Sequence, residues 1–316
     1  MRERGYDIEE HNCSSDNGSL DGVKIPAIGV TLLDGTAPHV VDPKNPGAVD
    51  SIIHLGDYWN EEGIRAHKAE IVAAIARNGF LFRRAYGYLR AAKGYNDELE
   101  AYIRETGALD VAGLNRLAAD TISGIFAAAP AKDGAAKERH LFASAITPGG
   151  MVNYLSTIVG DLDRRVLVQG RPGSGRTTIV QKVMSAAVEL GYDVEAYHCA
   201  LSPERIDHVV IPELSVAVMN ASEPHSYGPG TNDWVIDTMQ YVDWAKLASF
   251  DHDILRLTRL YHEALDSAVC MIARAKKNHD QIETYYVPHM DFAAVTKRRE
   301  QVLQRILQIA ARVETK

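Results

Sequence analysis

The residues best suited to chemistry form one run: Gly170, Arg171, Pro172, Gly173, Ser174, Gly175, Arg176, Thr177 and Thr178. Three glycines within six residues let backbone N–H groups turn inward and approach an anion closely. The run departs from the P-loop (Walker A) pattern GxxxxGK[ST] only at its lysine, where Arg176 stands. Arginine keeps the positive charge but replaces a compact ammonium with a wide planar fork, which alters contact with β and γ phosphates. Thr177 stands where a hydroxyl would bind Mg²⁺, with Thr178 beside it. The predicted chemistry is triphosphate binding, with ATP and Mg²⁺ as ligands. The competing reading is a ligand-free β–α turn.

Other groups cluster by sequence around this loop. Val216 to Met219 is an apolar run ending at Asn220, where a metal-binding carboxylate is expected. Asp207 and Glu213 are the nearby substitutes, both also suited to structural capping. Glu223 and His225 follow within a few residues. Glu223 would act as a general base. His225 would touch phosphate or orient water at the end of the strand. For both the competing reading is a solvated surface residue. Arg83, Arg84 and Arg90 offer an arginine finger. Cys13, Cys199 and Cys270 contain no CxxC pair, and His198, Cys199, His208 and His225 do not make a zinc spacing.

The elements that must position the loop are legible by pattern. Val166 to Val168 reads as a buried strand. An amphipathic helix follows, with Ile179, Val183, Ala186, Ala187 and Leu190 on one face and Gly191 ending it. Strand, loop and helix in this order place the partial positive charge of a helix N-terminus at the anion. Val194 to Cys199 reads as the next strand. Residues 61–104 and 250–287 read as long helices, and Val295 to Val313 as another, suited to a core, a lid or a dimer surface.

The chain also repeats itself. Residues 5–39 align without a gap on residues 191–225, at an offset of 186, with 12 of 35 positions identical. The shared positions include Cys13 with Cys199, Asp21 with Asp207, and Pro26 with Pro212. A second stretch, around residues 92–102, repeats at an offset of 183. In this alignment Met1 meets Ala187, so the first repeat has no counterpart of residues 139–186, and Asp34 stands where the second has Asn220. The expected organisation is an incomplete first repeat over residues 1–128, a linker near 126–139, and a P-loop-bearing second repeat over 139–316. The missing strand leaves a sheet edge which, like the helices, offers a surface for homo-oligomer formation.

The 316 residues carry a net charge of −8, with 46 % hydrophobic residues. That balance disfavours a broad nucleic-acid interface. No apolar run approaches the roughly 18 residues that cross a bilayer, and the start, MRERGYDIEEHNC, lacks a signal-peptide core. No membrane partner is expected, and the cytoplasm is the expected location.

The strings HLFASAITP, GRPGSGRT, YDVEAYHC, VVIPEL, CSSDNGSLDGVKIP and DGTAPHVVDPKNPGAVD resemble a bacterial family of tandem P-loop proteins, generally labelled ATPase or nucleotide kinase-like. The likeness spans nearly the whole chain. It implies an α/β fold, a P-loop NTPase-like three-layer sandwich, duplicated and with long helical insertions, and it implies ATP binding. The family's loop is of the GRPGTGKS type in each half; here the first loop is absent and the second carries Arg176. Three functions follow as expectations: an ATPase, a nucleotide-sensing or assembly module without turnover, and a nucleotide kinase-like phosphotransferase.

Overall fold

The computed structural model describes residues 1–314 except Pro38 and residues 224–226. The chain is mixed α/β and packs as two compact units, Met1–Arg83 with Met271–Lys316, and Arg84–Cys270. These are called unit 1 and unit 2. The packing boundary falls elsewhere than residues 126–139. Each unit draws on both sequence repeats, because two long helices start in one unit and end in the other.

Unit 1 holds a three-stranded antiparallel sheet, β1 (Glu9–Asn12), β2 (Leu20–Ile25) and β3 (Val30–Leu33), in that spatial order. The short helix α1 (Glu61–Arg65) begins at Asn60, whose side chain accepts the N–H of Gly63 at 3.2 Å. The helix α2 (Lys68–Glu105) then leaves for unit 2. The core of unit 1 is small: Ile25 and Ile28 pack against Ile306 and Ala310 of the last helix.

Unit 2 receives the end of α2 and continues with α3 (Val111–Phe126), capped by Asp110. There follow β4 (Glu138–Phe142), a hairpin of β5 (Ser144–Thr147) and β6 (Gly150–Asn153), α4 (Leu155–Val159) and β7 (Arg164–Gln169). Next come α5 (Arg176–Glu189), β8 (Val194–His198), β9 (Ile206–Ile211), β10 (Val216–Asn220), β11 (Trp234–Asp237) and the start of α6 (Asp251–Tyr286). The helix α6 returns to unit 1, where α7 (Phe292–Glu314) ends the described chain.

The main sheet has the order β11-β7-β10-β9-β8-β4. All its strands run parallel except β9, which is antiparallel to both neighbours. Side chains alternate across it. Val166 and Val168 face α5 and α3, meeting Ile179, Val180, Val183, Leu114 and Ile125. Leu167 faces the other way, onto Leu155, Val159, Ala217 and Met219. The second face is thus covered by the five-residue α4 and its neighbours, a thinner layer than the two-helix layer opposite.

Two segments fold alike at the 186-residue offset. β1 pairs with β2 as Glu9↔Lys24 through Asn12↔Leu20, and β8 pairs with β9 as Glu195↔Val210 through His198↔Ile206. Both ladders shift register at the same place, His11/Asn12 and Tyr197/His198. A 3-10 turn follows each second strand, at Pro26–Ile28 and Pro212–Leu214, and each ends in a left-handed residue, Gly29 and Ser215. The long helices begin at Lys68 and Asp251, 183 residues apart.

Arg165 locks the base of β7. Its Nε donates to Asp233 Oδ1 at 2.7 Å, and its Nη1 donates to the carbonyls of Val159, Gly160 and Leu162 at 3.0–3.1 Å. The Asp233 side chain is wholly shielded from solvent. Among the described residues, no helix is long and apolar enough to cross a membrane.

Candidate phosphate-binding site

The glycine run lies where the sequence reading placed it, between the end of β7 and the N-terminus of α5. This is also the C-terminal edge of the parallel strands β7, β10 and β11, the edge at which open α/β sheets bind ligands. The loop needs its glycines for backbone reasons. Gly173 and Gly175 have φ of 81° and 95°, in the left-handed region, and Gly175 caps α5. Among the described residues, the N–H groups of Gly173, Gly175, Arg176 and Thr177 have no hydrogen-bond partner. Helix starts leave such donors open. Here the loop adds more of them, in a concave turn that suits an anion.

The rest of the loop is pinned. Gly170 N–H donates to Ser222 Oγ at 2.8 Å, and Arg171 N–H to Met239 Sδ at 3.2 Å. Ser174 is buried, its hydroxyl 2.6 Å from the hydroxyl of Thr238. The Arg171 guanidinium lies over the ring of Trp244, 5.5 Å from its centroid. The end of α2 and the start of α3 close in from the side: a Cβ on Gly173 would lie 3.0 Å from Glu100 Cα, and one on Gly175 would lie 2.4 Å from Leu114 Cδ1. Gly175→Ala therefore meets both a strained φ and a buried neighbour, and should cost about 2–4 kcal/mol. Urea denaturation of the variant checks this, and an unchanged midpoint would contradict it.

Arg176 is half-buried and turned toward β10, where its Nη1 donates to Asn220 Oδ1 at 2.8 Å. The same oxygen accepts the N–H of Ser222 at 3.2 Å, and Asn220 Nδ2 reaches Asp207 Oδ1 at 3.4 Å. Burial pushes the Arg176 guanidinium below its ordinary pKa, and the charges of Asp207 and Glu100 oppose that shift. Asp207 is thus a carboxylate bonded to Asn220 at the end of β10, and it is buried. Glu213 is away at the surface, bound by Lys132 Nζ at 2.6 Å.

Thr177 is half-buried on the first turn of α5, and Thr178 is exposed beside it. Glu223 is exposed in the turn after Ser222. His225 lies outside the described residues. Arg83, Arg84 and Arg90 are exposed on α2.

Several contributors were not visible in sequence. Ser222 and Thr238 are small hydroxyl residues with no motif around them. Arg205 binds Glu100, and also Asp97 at 3.0 Å, tying the β8–β9 turn to α2 beside the loop. Only long-range packing reveals that clamp.

Burial, and then the Asp207 charge, push the Cys199 thiol up to about 12. At pH 8 only about one molecule in 10⁴ then carries the thiolate. Iodoacetamide at pH 8 should label the exposed Cys270 at least ~100-fold faster than Cys199, read by mass spectrometry. Equal rates would show that the surroundings of Cys199 neither shield it nor hold it neutral.

No protein-family model, curated protein or solved structure matches the chain.

Proposed function

We propose that unit 2 binds ATP through its triphosphate, in the loop Gly170–Thr178. The observation that carries this reading is the set of open N–H groups on Gly173, Gly175, Arg176 and Thr177, gathered at the N-terminus of α5. A triphosphate supplies the anionic oxygens these donors lack, and Arg176 adds a cation at the same end. The likeness of the GRPGSGRT string to tandem P-loop proteins supports the same conclusion, as does the matching geometry of the two repeats, which we read as duplication of a P-loop fold.

The residues fit ATP better than they fit Mg²⁺. Mg²⁺ favours carboxylate, hydroxyl and water oxygens in octahedral array. Thr177 would hold the ion, but the end of β10 offers Asn220, already bound to the Arg176 guanidinium. Mg²⁺ bound here would rest on phosphate oxygens, water and Thr177. The ion would neutralise charge on the phosphates. Arg176 supplies a fixed part of that neutralisation.

This tie favours a second reading, nucleotide sensing or assembly with little turnover, over an efficient ATPase. Phosphoryl transfer depends on positioned charge around the γ-phosphate. Arg176→Lys combined with Asn220→Asp restores both a compact cation and a metal-binding carboxylate. A phosphate-release assay should show the double variant at least about tenfold faster than the parent chain. Equal rates in the two chains would refute the view that Arg176 and Asn220 limit turnover. Binding without release would leave ATP as a ligand and remove it as a substrate.

A further inference from the structure

In unit 2, β7 is gripped on both edges, by β10 on one side and β11 on the other. Unit 1 has counterparts of both grips. β3 corresponds to β10 at the 186-residue offset, and residues 51–54 correspond to β11 at the 183-residue offset. Among the described residues, no strand pairs with the outer edge of β3, and residues 51–54 form no strand. The burial differs accordingly. Val216 to Met219 are all 0 % exposed and Ile236 is 3 % exposed, whereas Leu33, the counterpart of Met219, is 59 % exposed and Ile53, the counterpart of Ile236, is 39 % exposed. Apolar edges of this kind are templates for strand addition.

The charges of unit 1 complement what β7 and its loop bring to unit 2. There Arg165 binds Asp233, and Arg176 binds Asn220. The counterparts in unit 1 are two carboxylates, Asp50 and Asp34. Asp50 keeps the carboxylate but closes a wider turn: it accepts the backbone N–H of Asn45, five residues back, at 2.7 Å, where Asp233 accepts that of Gly230, three back, at 2.6 Å. Asp34 Oδ1 accepts the backbone N–H of Thr36 at 2.9 Å, as Asn220 Oδ1 accepts that of Ser222.

We propose that unit 1 is a docking surface for a partner polypeptide. The partner presents a short apolar strand parallel to β3, then a glycine loop and a helix, with basic residues placed as Arg165 and Arg176 are in unit 2. A second copy of this chain is a poor source, because its own β7 is paired on both edges and Leu167 and Val168 are 0 % exposed. The inference concerns strand pairing and is independent of nucleotide binding in unit 2.

A synthetic peptide of residues 161–190, fluorescently labelled, is the probe. Titrated with the full chain, it should bind saturably and slow hydrogen exchange at residues 30–33 and 51–54. Arg165→Glu with Arg176→Glu in the peptide, or Asp34→Lys with Asp50→Lys in the chain, should weaken binding by about tenfold or more. The same segment joined through residue 186 to Met1 supplies a second measurement, and should protect the same residues. No binding together with no protection in the joined chain would overturn the proposal. So would protection confined to residues 216–220, which would mean exchange into unit 2. Self-association of the chain alone with those edges protected would assign the surface to a second copy and overturn the choice of partner.

Discussion

The Arg165→Ala chain should be less stable by about 3–5 kcal/mol, the cost of removing one partner from a buried ion pair. The side chain of Asp233 has no solvent exposure, and Arg165 also serves three carbonyls at the end of α4. Removing the guanidinium leaves a shielded carboxylate and three acceptors to be satisfied at once. A surface ion pair behaves differently: Arg65→Ala, which removes the exposed pair with Glu61, should change stability by less than about 1 kcal/mol. The contrast is read from urea denaturation midpoints of the two variants. Equal losses would show that the anchoring of β7 is not local to Arg165.

Arg176→Glu should weaken ATP binding by about 100-fold, roughly 2.7 kcal/mol, while leaving the protein folded. The substitution reverses the one side-chain charge that the loop places at the start of α5, and it faces an anionic ligand with a carboxylate. Arg176→Gln separates the two roles of the side chain. Glutamine can still donate to Asn220, so it retains the tie to β10 without the charge, and should weaken binding less than glutamate does. Calorimetric titration of both variants with ATP provides the measurement. If Glu and Gln bind ATP as the parent does, the phosphates do not sit at Arg176.

Much of unit 2 was legible because its signals are local. The β7–loop–α5 order follows from an apolar triplet, three glycines and a helical apolar stripe, each read within a few residues. The 186-residue repeat likewise anticipated that the two segments fold alike, and they share register, irregularity and turn. The direction of β9 was harder. A buried apolar strand looks the same in sequence whether its neighbours run parallel or antiparallel, and the short connections at residues 199–205 and 212–215 were the available clue, because parallel neighbours need a long crossover. The packing units were harder still. The helix α2 has no Pro or cap signal at residue 83, so nothing local marks its passage from unit 1 to unit 2.

The site shows the same division. Glycines and Thr177 were visible as a motif. The Arg176–Asn220 bond was not, although both residues depart from the P-loop pattern. Each departure looked like a separate loss. In the fold they are partners, 2.8 Å apart, and the arginine fork reaches a carboxamide where a lysine would have faced a carboxylate-bound metal. Ser222 and Thr238 gave no signal, because a hydroxyl two residues past a strand is common and only the tertiary fold brings it to the loop.

The central claim is that the open N–H groups of Gly173, Gly175, Arg176 and Thr177 bind a triphosphate. Isothermal calorimetry of the purified chain with ATP, and separately with adenosine, tests it most directly. The account predicts saturable micromolar binding of ATP at one site per chain and no detectable heat from adenosine. No heat from ATP with a chain that is folded by circular dichroism, or equal affinity for ATP and adenosine, would contradict it.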